Sequence, residues 1–135
     1  MTQRAVQDVG LAIKRIQARH HRTLDARLGE LGLSLVQWDA LRHLSRNPDA
    51  SLRDLAQLTF QSDQAFGTLA ARMVKRGLIE RIDAPGRAIR HRITAKGEKL
   101  LTHGSAVATE VLTASFAPLD DDEFATLAQL LQRLA

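Results

Sequence analysis

Val6, Val9, Ile13, Ile16, His20, Leu24, Leu28 and Leu31 recur at steps of three and four residues. That is the period of one helix face, and it predicts a long helix over residues 5–30. Lys14, Arg15, Arg19, Arg22 and Arg27 lie largely off the stripe, and Gly29 and Gly32 punctuate its end. A single-stripe helix of this length must bury its apolar side against something. In the next segment Ser34 stands three residues before Gln37, a capping-box pattern, with Leu35, Trp38, Leu41 and Leu44 as the inward face. Asn47-Pro48 stops that helix. Ser51 and Asp54 repeat the device for a short helix with Leu52, Leu55, Ala56 and Leu58 facing inward. A break near Thr59–Gln61 leads to Ser62 as a further N-cap. The helix that follows runs to Arg76, carries Phe66, Leu69, Ala70 and Met73 on its core side, and ends at Gly77 as a left-handed cap.

The period then changes from helical to two. Residues 78–82 (LIERI) and 88–94 (AIRHRIT) alternate and are β-branched, with DAPG and Arg87 between them. In the second strand Ile89, His91 and Ile93 share one face, and Arg90 and Arg92 the other. Residues 95–117 return to a helical stripe that includes Leu101, Gly104, Ala108 and Val111, and Pro118 ends it. Asp120 caps a last helix, where Asp121, Asp122 and Glu123 favour the positive end of the helix dipole. Its apolar face is Phe124, Leu127, Leu130, Leu131 and Leu134.

Helix, short helix, tight break, helix, strand, turn, strand is the order of a helix-turn-helix followed by a β-hairpin wing. The predicted fold is therefore mainly α, a winged helix-turn-helix with a two-stranded wing at 33–97; the helices at 1–32 and 98–135 carry more apolar stripe than it can cover and are predicted to be dimerisation helices. A helix that enters a major groove needs small or polar side chains on its outer, early face. Gln61, Ser62, Gln64, Ala65, Thr68 and Arg72 supply them here. Arg87 at the hairpin tip and Arg90 behind it would reach phosphate or a neighbouring minor groove. The plain alternative is a solvated helix face and a soluble hairpin.

Composition sharpens this picture. The chain has 135 residues, 44% of them hydrophobic, enough for one domain with a moderate core. No apolar run approaches the roughly 18 residues of a membrane span, so the expectation is a soluble, cytoplasmic protein with no membrane partner. There is no Cys, which removes disulfides and thiol-based sensing. Net charge is +4, unevenly spread: residues 51–97 carry nine Lys/Arg against four Asp/Glu, and residues 98–135 carry two against six. A basic middle beside an acidic tail fits a polyanion-binding module with a segment doing another job. No phosphate loop or nucleophile elbow is present, which argues against an enzyme and implies no cofactor. The histidines, His20, His21, His43, His91 and His103, include no tight ligand pair, so no metal site is expected.

Four stretches carry a resemblance to a known family: GLSLVQWDALRHL, SLRDLAQL, LAARMVKRGLIER and GRAIRHRITAKGEKLL. The chain resembles the multiple antibiotic resistance regulators, the MarR family of winged-helix repressors. RITAKG, set 17 residues after KRG, is the most specific part. The resemblance implies an obligate homodimer with interlocked terminal helices, bound to double-stranded DNA at a pseudo-palindromic operator. It places Ser62, Gln64, Ala65 and Thr68 on the recognition helix and makes Arg87 the wing arginine. It further implies a small aromatic or anionic ligand between the dimerisation helices and the winged helix, for which His20, Leu24, Trp38 and His43 are candidates. The plainer reading, which their place on apolar stripes favours, makes Trp38 a core anchor and His20 a partly buried helix residue.

The sequence also departs from the family pattern. Pro85 stands where an acid usually precedes the wing arginine, and the nearest acid is Asp83. The hairpin is about two residues shorter than is common in the family. Phe60 and Phe66 occupy positions where smaller or aliphatic residues are frequent, which implies unusual packing of the turn. The competing readings are a non-specific architectural DNA binder and a winged-helix module for protein partners.

Overall fold

The computed structural model describes residues 1–135. It contains α1 (Gln3–Gly29), α2 (Leu35–Arg46), α3 (Leu52–Leu58), α4 (Asp63–Lys75), β1 (Ile79–Ile82), β2 (Arg90–Ile93), α5 (Ala95–Phe116) and α6 (Asp121–Leu134). Every expected helix is present, and the expected caps hold them. Ser34 with Gln37, Ser51 with Asp54, and Asp120 with Glu123 each form a reciprocal capping box. Ser62 accepts from the Ala65 amide at 3.0 Å. Each such cap satisfies amides that the helix itself leaves open, and contributes about 1 kcal/mol.

The core lies where α2, α3, α4 and β1 meet the C-terminal end of α1 and the middle of α5. Leu28, Leu33, Leu41, Leu55, Met73 and Leu78 are sealed from solvent, and burial of each stabilises the fold by about 2 kcal/mol. Leu58, expected inward, is instead exposed. Thr59, four residues after Leu55 and three after Ala56, takes the inward position and donates its hydroxyl to the Leu55 carbonyl at 2.7 Å.

The wing is a two-stranded antiparallel sheet with Ile79 opposite Ile93 and Arg81 opposite His91. Its strands are shorter than the alternating pattern suggests, and the outer edge of the second strand has another partner. The Leu52 amide donates to the Ile89 carbonyl at 3.0 Å, and Ser51 bridges to Arg90. The hairpin is thereby tied to the start of α3.

Its other anchor explains the spacing between KRG and RITAKG. The Thr94 hydroxyl donates to the carbonyls of Gly77 and Leu78, while its oxygen accepts from the Gly97 amide and caps α5. Lys96 Nζ donates to the Arg76 carbonyl at 2.9 Å. One hydroxyl thus closes the base of the wing and starts the next helix. Gly97 is required there by contact. A Cβ at that position would stand 2.1 Å from the Leu78 carbonyl oxygen.

The N-terminal two-thirds of α1 and nearly all of α6 extend away from this core. Val6, Val9, Ile13 and Ile16 on α1, and Phe124, Leu130, Leu131 and Leu134 on α6, are exposed apolar side chains. Phe116 meets Phe124 edge-on at 5.5 Å, which joins α5 to α6. No helix is long and apolar enough to cross a membrane.

Candidate nucleic-acid interface

α4 has two unlike faces. Phe66, Leu69, Ala70 and Met73 lock one into the core. Gln64, Ala65, Thr68 and Arg72 are exposed on the other. Gln64, Thr68 and Arg72 are spaced by four, so they stack along one side of the helix. The Thr68 hydroxyl donates to the Gln64 carbonyl at 3.1 Å, which leaves its methyl and the acceptor side of its oxygen for an outside partner. Ser62 is committed to its cap. Gln61 is half-buried, and its amide donates to Thr59 Oγ1 at 3.3 Å. It therefore braces the turn rather than projecting from it. Asp63, in the first turn of α4, is exposed. It is the one acid on this front and can accept only from a base such as cytosine.

Arg87 lies in the exposed hairpin turn, where Gly86 has φ +72° and the Arg87 amide donates to the Ala84 carbonyl at 3.1 Å. Asp83 pairs with Arg81 at 2.9 Å, so the Arg87 guanidinium carries no intramolecular partner. Arg90 is held differently. It is half-buried and faces Asp49 at 3.9 Å, which draws it toward the body of the helix-turn-helix. Arg92 pairs with Glu80 across the strands at 3.3 Å. Two further cations that the sequence pattern did not single out, Arg53 on α3 and Lys75 at the end of α4, are exposed and without ion pairs.

His20, Leu24, Trp38 and His43 do not converge on one space. Trp38 lines a cavity of about 500 Å³ between α2 and α5, together with Arg42, Arg46, Ser105 and Thr109. Its indole N–H donates to Ser105 Oγ at 3.2 Å, and Arg42 lies over the ring at 5.7 Å. His20 lines a separate cavity of about 400 Å³ between α1 and α5, beside Arg19 and Ser115. His20 Nε2 and the Ser115 hydroxyl are 2.6 Å apart, and Arg19 donates to the same oxygen at 3.1 Å. Burial, with Arg19 adding to it, holds the His20 imidazole below its ordinary pKa. Leu24 is a core residue. His43 pairs with Asp39 at 3.4 Å and borders neither cavity.

A capped helix with an open polar face, set between a short bracing helix and an anchored basic hairpin, defines a winged helix-turn-helix protein of the transcriptional-regulator class. Comparison with known proteins agrees. Residues 31–88 match the profile described as MarR family, and the chain belongs to the MarR family. It is 27% identical to the HTH-type transcriptional repressor Rv2887 of Mycobacterium tuberculosis over 128 residues, which cover 93% of this chain and 92% of that one. The solved structures of that protein with salicylic acid and with DNA are 26% identical and superpose with TM-score 0.78, covering 93% of this chain and 95–96% of theirs. A probable transcriptional regulator from Pseudomonas aeruginosa is 30% identical, with TM-score 0.81 and 94% and 96% of the two chains covered.

Proposed function

We propose that two copies of this chain pair through α1, α5 and α6 and repress transcription. Each copy seats α4 in a major groove of a pseudo-palindromic operator while Arg87 reaches the flanking backbone. In this reading residues 33–97 bind DNA, and residues 1–32 and 98–135 hold the dimer. Gln64, Thr68 and Arg72 read or position bases, and Arg53, Lys75 and Arg87 meet phosphates. The observation that carries it is the division of α4: one face is fixed by the core, and the other is exposed and polar, with the Gln64 and Arg72 side chains free of intramolecular partners. The exposed apolar stripes of α1 and α6 support the pairing, since a monomer rarely leaves such stripes open. A two-fold dimer also matches a two-fold operator.

An aromatic carboxylate is the ligand that fits the Trp38 cavity. The indole supplies a stacking surface, and Arg42 and Arg46 supply charge for the carboxylate. The cavity lies between α2, which belongs to the DNA-binding unit, and α5, which begins at the wing and runs into the dimerisation region. An occupant that favours one spacing of these helices shifts the distance between the two α4 helices, and only differential affinity for the two spacings can do so. The relative solved with salicylic acid and with DNA supports both halves of the reading.

The test is fluorescence anisotropy on a duplex selected from a random library by the protein itself, with and without salicylate. The selected site should be an inverted repeat, bound at least about a thousand-fold more tightly than random duplex. Salicylate should weaken that binding and quench Trp38, the single tryptophan. Equal affinity for selected and random duplex would indicate an architectural binder and defeat the proposal.

A further inference from the structure

Four residues of the chain have a left-handed backbone. Three are glycines, Gly32, Gly77 and Gly86, and the fourth is Phe60, with φ +57°. Phe60 ends α3 in the geometry that glycine normally serves. The Gln61 amide donates to the Ala56 carbonyl at 2.9 Å, and the Phe60 amide to the Gln57 carbonyl at 3.2 Å. That is the paired bonding of a Schellman ending, with Phe60 at the position after the cap. A side chain with a Cβ is strained there. Its ring returns nothing to the fold, because Phe60 is 97% exposed. The other phenylalanine of this region, Phe66, is 2% exposed and belongs to the core. The unusual packing implied by two aromatics at the turn is therefore confined to one of them.

Phe60 stands two residues before Ser62, the N-cap of α4. Gln61, between them, is turned back on Thr59. The side chain presented at the leading end of α4 is thus an uncharged, apolar ring. It lies in the turn that leads into the helix carrying Gln64 and Ala65. A phosphate offers such a ring nothing, whereas the apolar group exposed on base edges in the major groove is the thymine 5-methyl.

We propose that Phe60 is a specificity-determining residue that packs its ring on a thymine 5-methyl at one position of each operator half-site. This rests on the reading of α4 as the groove-entering helix. It accounts for a strained backbone that glycine would relieve and a ring that the folded chain does not use.

The experiment compares the wild type with Phe60→Gly and Phe60→Asn. Both replacements tolerate the left-handed backbone and remove the ring. Thermal unfolding should show Phe60→Gly at least as stable as the wild type, which separates lost function from lost fold. Each protein is then used to select sites from a random duplex library. The wild-type site is also made with single thymine-to-deoxyuridine replacements, each of which deletes one 5-methyl. The wild type should enrich thymine at one position per half-site and lose about three- to fourfold in affinity when that base becomes deoxyuridine, the worth of one buried methyl. Both variants should lose the enrichment and the deoxyuridine effect, and bind the site roughly fivefold more weakly per half-site.

Variants that keep the same thymine preference would overturn the proposal. So would an equal loss on selected and random duplex, which would place the ring on the sugar-phosphate backbone. A changed sedimentation mass with DNA binding intact would overturn it as well, by assigning the ring to a protein contact. Failure of the wild type to enrich any sequence would defeat the underlying reading before Phe60 is altered.

Discussion

Replacing Gly97 by alanine should be among the most damaging single-methyl changes in this protein. Taken alone, Gly→Ala inside a helix favours folding by about 1 kcal/mol. The structure reverses the sign. The added Cβ would lie 2.1 Å from the Leu78 carbonyl oxygen and 2.8 Å from Ile93 Cγ2, where ordinary contact begins at 3.4 Å. The first turn of α5 and the base of the wing would have to part by about 1.3 Å, the difference between those distances. Leu78 cannot yield cheaply, because its side chain is fully buried and its carbonyl accepts from both the amide and the hydroxyl of Thr94. Parting the elements loosens those two bonds and the Thr94 cap, each worth about 1 kcal/mol. Overpacking adds about 1–3 kcal/mol. Against the propensity gain, the net loss is about 3–5 kcal/mol. Urea unfolding at fixed protein concentration measures it, with Gly67→Ala as the control. Gly67 lies inside α4 with nothing within 4 Å of an added Cβ, so the same change there should stabilise by up to about 1 kcal/mol. If Gly97→Ala matched or exceeded the wild type in stability, the close approach of α5 to the wing would be wrong.

Other changes address function more directly. Gln64→Ala should cost about 1–3 kcal/mol on the operator and relax preference at one base of each half-site. Its effect on random duplex should be small, and equal losses on both would reduce Gln64 to a backbone contact. Arg87→Ala should leave unfolding unchanged and lower the salt dependence of binding by about one counterion per subunit; an unchanged slope removes Arg87 from the DNA surface. Leu131→Asp, on the exposed face of α6, should give a monomer by sedimentation, and a persistent dimer would place the interface elsewhere. Burial, reinforced by Arg81 and opposed by Asp83, holds the His91 imidazole below its ordinary pKa, and its Nδ1 has no partner. The unfolded chain therefore takes up this proton first, near pH 6.5. Stability should be complete above about that pH and fall as the pH drops toward the lower folded value. His91→Leu should flatten the decline between about pH 7 and 5, and identical slopes would refute the assignment.

Element types and their order were legible along the chain because they depend on local signals. The Ser34, Ser51, Ser62 and Asp120 caps act within three residues, and the change in hydrophobic period from α4 to the wing is read in the same short window. The open face of α4 followed from the same periodicity, since a helix with one side buried must expose the other. Contacts between distant segments were not legible in this way. Asp83 turns to Arg81 and leaves Arg87 free, while Arg90 is drawn to Asp49. Trp38 and His20, both placed on apolar stripes, end at different cavities because α5 crosses α2 along one part of its length and α1 along another. Nor could the pattern tell that Phe66 enters the core while Phe60 stands in solvent. A hydrophobic side chain records only a tendency to be covered. Whether anything arrives to cover it depends on how rigid helices cross, and that is set by the packing of all their faces at once.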